Sequence, residues 1–128
     1  MILNEELIRA FIKDFGFNQL GYMKGISISV EPYVHYEPQT VVEIPFIIKH
    51  DEQYLEITIR FVDAAEVQFN FASSLVRISL EIVDISGDGW ERKDYLVRDL
   101  ENEEDFHFYC NRIEVASVKL AEYVHPNW

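Results

Sequence analysis

Alternation of apolar and polar residues runs through most of this chain, and it limits the possible folds more than any other feature. Leu55, Ile57, Ile59 and Phe61 are apolar, while Glu56, Thr58 and Arg60 between them are polar. The same beat recurs at Val67, Phe69 and Phe71, at Val76, Ile78, Leu80 and Ile82, and at Phe106, Phe108 and Cys110. Side chains of an extended strand point alternately to its two faces, so a period of two sends one set into a core and the other into water. Such a chain is mostly half-buried antiparallel strand.

The exception is the beginning. Asn4 is placed to cap a helix, with Glu5 and Glu6 in its first turn, where negative charge suits the helix dipole. Leu7, Ile8, Phe11, Ile12 and Phe15 follow at helical spacing, and Gly16 is a natural stop. The stripe predicts a helix packed on a sheet face, or one docking in a partner's groove.

Strands are expected from Tyr22 onward. Ile26, Ile28 and Val30 alternate and stop at Pro32, and Tyr33 to Thr40 reads as a loop. Val42, Ile44, Phe46 and Ile48 form the next strand, and Pro45 within it, lacking an N–H, predicts an edge or a bulge. A turn at His50 to Gln53 joins it in a hairpin to Tyr54–Val62. Asp63 to Glu66 turns again, before strands at Val67–Phe71 and Leu75–Ile85 with a break at Ala72 to Ser74. Ser86 to Asp94 is turn-like, Tyr95 and Val97 resume the alternation, and Asn102 to Asp105 turns into Phe106. Ile113 and Val115 are odd while Val118 and Leu120 are even, which predicts a bulge at Ala116 and Ser117, or a terminal helix instead. His125 to Trp128 is a tail that either tucks onto the body or hangs loose. The expected fold is α+β: a curved antiparallel sheet or open barrel of about eight strands with an N-terminal helix packed on it, in one domain over residues 1–128.

Charge narrows the partners. Asp and Glu number 23 against 11 Lys and Arg, a formal net charge of −12. Such a surface repels phosphate backbones and anionic lipid and speeds encounter with basic proteins, although acidity also serves plain solubility. Neither nucleic acid nor membrane is an expected partner. No basic-then-apolar leader opens the chain and no apolar run suffices to span a bilayer, so a cytoplasmic location is expected. Cys110 is the single cysteine; its place in the alternation predicts a buried, inert thiol.

Catalytic signatures are lacking. Asp84-Ile-Ser-Gly-Asp88-Gly89 partly matches a calcium loop, but Arg92 and Tyr95 stand at its ninth and twelfth positions, where oxygen ligands belong. The segment reads instead as a Gly-rich hairpin turn. His35, His50, His107 and His125 make no metal-binding pair. His107 and Cys110 are three residues apart in one strand, hence on opposite faces, while His107 shares its face with Tyr109. No nucleophile elbow, Walker loop or dinucleotide fingerprint occurs. No catalytic residue, metal or cofactor is therefore expected.

The distinctive polar segment is Asp99-Leu-Glu101-Asn-Glu103-Glu104-Asp105. It reads as a solvated turn, or as an acidic knuckle that docks on a basic patch, with Trp90, Tyr95 and Tyr109 as aromatic anchors. Tyr95-Leu-Val-Arg-Asp99-Leu-Glu101, then Phe106-His-Phe-Tyr-Cys110 and Ile113-Glu-Val115, resembles the small acidic immunity proteins encoded beside bacterial polymorphic toxins. The resemblance implies a non-catalytic cytoplasmic protein that binds and blocks one toxin.

The first functional reading is an immunity-type inhibitor of a basic toxin domain, with Trp90, Tyr95, Asp99, Glu101, Glu103, Glu104 and Asp105 as its contact residues. The alternative is a small-molecule-binding or enzymatic domain with a pocket in a curved sheet. A third is an oligomerisation module pairing through an edge strand such as Val41–Lys49, which Pro45 opposes. A monomer or weak homodimer is expected.

Overall fold

The computed structural model describes residues 2–32, 38–70 and 76–121. Eleven strands are present among them: β1 (Ile2–Leu3), β2 (Tyr22–Met23), β3 (Ser27–Glu31), β4 (Gln39–His50), β5 (Gln53–Val62), β6 (Ala65–Phe69), β7 (Val76–Arg77), β8 (Leu80–Asp84), β9 (Tyr95–Asp99), β10 (Phe106–Cys110) and β11 (Arg112–Leu120). They form two sheets, neither closed into a barrel. The larger runs β1-β11-β5-β4-β2-β7, with β3 also on β4; the smaller runs β6-β10-β9-β8. All pairings are antiparallel except β1 with β11. The break at Ala72 to Ser74, most of the loop expected at Tyr33 to Thr40 and the tail His125 to Trp128 lie outside the described residues, while Gln39 and Thr40 already belong to β4.

One core lies between the sheets. Val42, Ile44 and Phe46 of β4, Leu55 to Phe61 at alternate positions of β5, and Ile113 and Val115 of β11 meet Leu80, Val97, Phe106, Phe108 and Cys110 of the smaller sheet. Phe61 and Phe108 touch across the gap edge to face, with ring centroids 5.1 Å apart. Each of these buried phenylalanines contributes about 1.5–3 kcal/mol of hydrophobic stabilisation. The chain bends from one sheet to the other at Asp63–Ala64, at Ile78–Ser79 and at Asn111. The strand expected over Leu75–Ile85 is therefore two strands in different sheets, β7 and β8.

Several local expectations meet their physical cause. Asp51 and Glu52 both have positive φ and form a two-residue turn between β4 and β5, the geometry whose twist matches a hairpin. The register of β11 on β5 slips between Val115 and Ser117, so Ala116 is the bulge and the terminal segment is strand. Pro45 departs from expectation, because β4 is an interior strand. Its outer margin is shared by β3, which pairs as far as Glu43, and β2, which begins at Phe46. The Pro45 carbonyl accepts from the Lys24 N–H at 2.8 Å, so the missing Pro45 N–H also faces this junction and breaks no ladder with β5.

The N-terminal helix is much shorter than its stripe suggests. Only α1 (Glu6–Arg9) is helical, beside β11. Asn4 has φ 61° and does not cap it; Glu5 occupies the N-cap without a side-chain bond. Ile8, Ile12 and Phe15 are buried, whereas Leu7 and Phe11 are exposed. A single turn is stable only through such packing. β3 departs further: Ile28 and Val30 share the core-side face with Val42 and Thr40 yet are 53% and 67% exposed.

Candidate functional site

The smaller sheet has one face in the core and one open. Tyr95, Val97 and Asp99 point inward from β9, so Leu96 and Arg98 point outward. Strand register then builds two outward rows. One is Glu81, Arg98, His107 and Gln68; the other is Val83, Leu96, Tyr109 and Ala65. The second row is mostly apolar and half-buried.

Trp90 borders the apolar row. It lies in the β8–β9 loop, where Ser86–Asp88 make one 3-10 turn and Gly89 follows with φ 77°. Asp84 accepts hydrogen bonds from the Ser86 N–H and hydroxyl, which hold the Asp84 carboxyl below its usual range. Arg92 clamps the loop by a two-pronged pair with Asp63, at 2.7 and 2.6 Å. The Lys93 ammonium stands 5.1 Å from the Trp90 ring centroid and 4.7 Å from that of Tyr109, and it pairs with Glu66. The Lys93 bond holds the Glu66 carboxyl below its usual range. Trp90 itself is 60% exposed.

The acidic knuckle borders the charged row. Arg98 binds Glu81 at 2.6 Å and reaches Glu103 at 3.5 Å, while His107 lies 3.8 Å from Glu103 and edge-on to Tyr109. The guanidinium of Arg98 has its pKa raised by the Glu81 bond first, and stays charged. Glu101, Glu103 and Glu104 are exposed and Asp105 is half-buried beside Asn70. One continuous face therefore runs from Trp90 over an apolar row to Glu103, with each of its cations answered by a carboxylate.

The seven residues singled out in the sequence are thus divided. Trp90 and the knuckle lie at opposite ends of β9, joined by this face. Tyr95 and Asp99 are 7% and 5% exposed and are corrected to the interior. Burial raises the Tyr95 phenol pKa, with Asp84 adding to the shift. The Asp99 carboxylate accepts from the Ser79 N–H at 3.1 Å and the Glu101 N–H at 3.0 Å, which spends it on holding the β7–β8 crossing to the knuckle. The signal was available: Tyr95, Val97 and Asp99 share one parity. Leu96 and Val83 were missed; apolar side chains on the polar parity of their strands were the clue.

A family model described as Immunity protein PIM8 matches residues 8–116. This chain belongs to that immunity protein family. No curated protein and no solved structure matches it. The matched span contains the whole open face, both rows and both flanking loops.

A cleft of about 480 Å³ beside β8 is lined by Ile2, Phe17, Ile82 and Tyr95, with Glu5, Glu81 and Asp84 around it. Glu81 and Asp84 are already engaged by Arg98 and Ser86. Among the described residues no group of three or more His, Cys, Asp or Glu is arranged to hold a metal. Cys110 is fully buried, and burial drives its thiol pKa far upward. No helix among the described residues is long and apolar enough to cross a membrane.

Proposed function

We propose that this protein binds and neutralises a cognate bacterial toxin across the open face of its smaller sheet. The observation that carries the reading is the row Val83, Leu96 and Tyr109 with exposed Trp90 beside it, in a chain of an immunity family. Aromatic residues surrounded by polar rims are where binding energy concentrates. The net charge of −12, with Glu101, Glu103 and Glu104 projecting at one end, favours a basic toxin surface and accelerates its encounter. Inhibition in this reading is occlusion in the cytoplasm, with no chemistry performed by the inhibitor.

The test is affinity capture from the native host with three baits: wild type, Leu96→Arg, and a Glu101, Glu103 and Glu104 triple glutamine variant. The expected result is one basic protein held stoichiometrically by wild type and lost with Leu96→Arg. That protein should stop growth when expressed alone and be harmless with its inhibitor. Equal capture by wild type and Leu96→Arg would move the interface off this face. The absence of any toxic partner would turn attention to the cleft beside β8.

A further inference from the structure

We propose that two copies of this chain pair antiparallel, edge to edge, through β3 of each. Among the described residues, β1 and β7 end the larger sheet and are two residues each, too short to template another strand, and β11 runs on past its short pairing with β1 but is guarded there by the bulge at Ala116 and by exposed Lys119. In the smaller sheet β8 carries Asp84 and is packed by the turn Phe17–Gln19, while β6 has a broken register on β10. These are the ordinary guards of a sheet edge: shortness, charge, covering and irregularity.

β3 lacks them. It pairs with β4 along five residues in regular register, and no other strand pairs with it among the described residues. It contains no lysine or arginine. Its one carboxylate, Glu31, is bound through both oxygens by Arg60, at 2.7 and 2.8 Å, so the charge that would repel a neighbour is neutralised locally. Ile28 and Val30 stand on one face, 53% and 67% exposed, because the smaller sheet does not reach over them.

The occupant is a second copy because the segment Ser27-Ile-Ser-Val-Glu31 is self-complementary. A two-fold axis at Ser29, perpendicular to the sheet, sets Ser29 against Ser29 of the second copy. It sets Ile28 against Val30 of the second copy, and Val30 against its Ile28, all four on the same face. Cross-strand pairs of β-branched residues are favourable, and the pairing also satisfies the free backbone groups of both edges. The chain's net charge of −12 opposes this contact at long range. Salt therefore strengthens it, opposite to the salt response of an acidic inhibitor on a basic toxin.

The experiment is sedimentation equilibrium of the full chain alone, from low to high micromolar protein, at low and high salt. Single variants Ile28→Lys and Val30→Lys are run beside wild type, with urea midpoints checked for unchanged folding. The wild-type mass should climb from 15.1 kDa toward twice that value, further at high salt. Each variant should raise the dissociation constant by about tenfold or more. A wild-type mass that stays at 15.1 kDa at high salt overturns the proposal, as does a dimer indifferent to both substitutions. A monomer whose toxin binding, but not self-association, is weakened by Ile28→Lys also overturns it, and assigns β3 to a strand of the toxin. No toxin enters the primary measurement, so its outcome is independent of the inhibitory reading.

Discussion

Replacing Asp99 by alanine should unfold the protein more easily without touching the binding face. The carboxylate is 5% exposed and accepts from two backbone donors, at 3.1 Å from Ser79 and 3.0 Å from Glu101. Ser79 sits where the chain crosses from β7 to β8, and its carbonyl accepts from the Leu100 N–H at 2.9 Å. Asp99 thus closes a clasp between that crossing and the knuckle. In the alanine variant the half-buried Ser79 N–H loses a charged acceptor, costing about 1.5 kcal/mol, whereas the exposed Glu101 N–H rehydrates and costs about 1 kcal/mol. The expected loss is about 2.5 kcal/mol, a fall in melting temperature of roughly 8–12 °C for a domain of this size. Asp99→Asn keeps an acceptor and should lose about half as much. Urea denaturation measures the loss, and hydrogen exchange should show the Ser79 and Glu101 amides opening first. A change below about 0.5 kcal/mol for Asp99→Ala would refute the clasp. Intact stability with weakened toxin binding would refute it too, and would return Asp99 to the interface.

Neutralising Glu101, Glu103 and Glu104 together to glutamine should slow association with a basic toxin by about tenfold at low salt and flatten its salt dependence, read by stopped-flow, with folding intact. Unchanged kinetics would remove the knuckle from the encounter. Trp90→Ala should weaken the complex by about 2 kcal/mol by calorimetry, while the urea midpoint of the free protein hardly moves, because the ring is 60% exposed. The Cys110 thiol, fully buried with its pKa driven up by burial, should react with a thiol reagent at neutral pH only as fast as the protein opens. Rapid labelling of the native protein would contradict the packing of β10.

What was legible in the sequence was local and periodic. The alternation on β5 and β10, the hairpin turn before Gln53, the parity break at Ala116 and the inward parity of Cys110 all follow from one residue's relation to its neighbours. Backbone geometry makes that relation strict, since each strand residue has no choice but to oppose the next. Even Tyr95 and Asp99 obeyed the rule, because the parity of Val97 already assigned them to the interior.

Alternation says that a strand has two unlike faces. It does not say what lies against either. Ile28 and Val30 alternate as cleanly as Ile57 and Ile59, yet the first pair is exposed and the second fully buried, because the smaller sheet covers β5 and stops short of β3. Leu7 and Phe11 fit the helical stripe as well as Ile8 and Ile12, but the helix unwinds after Arg9 and only the latter reach the core. The join of Trp90 to the knuckle across Leu96 and Tyr109 depends on register among β8, β9 and β10. So the sequence alone determined where most of the chain is strand, several of its turns and the sidedness of the strands it marked, through steric rules acting over a few residues. Which strands share a sheet, which apolar faces stay uncovered and which charges become neighbours were decided by tertiary structure, because those contacts join residues far apart in the chain and depend on the whole packed core.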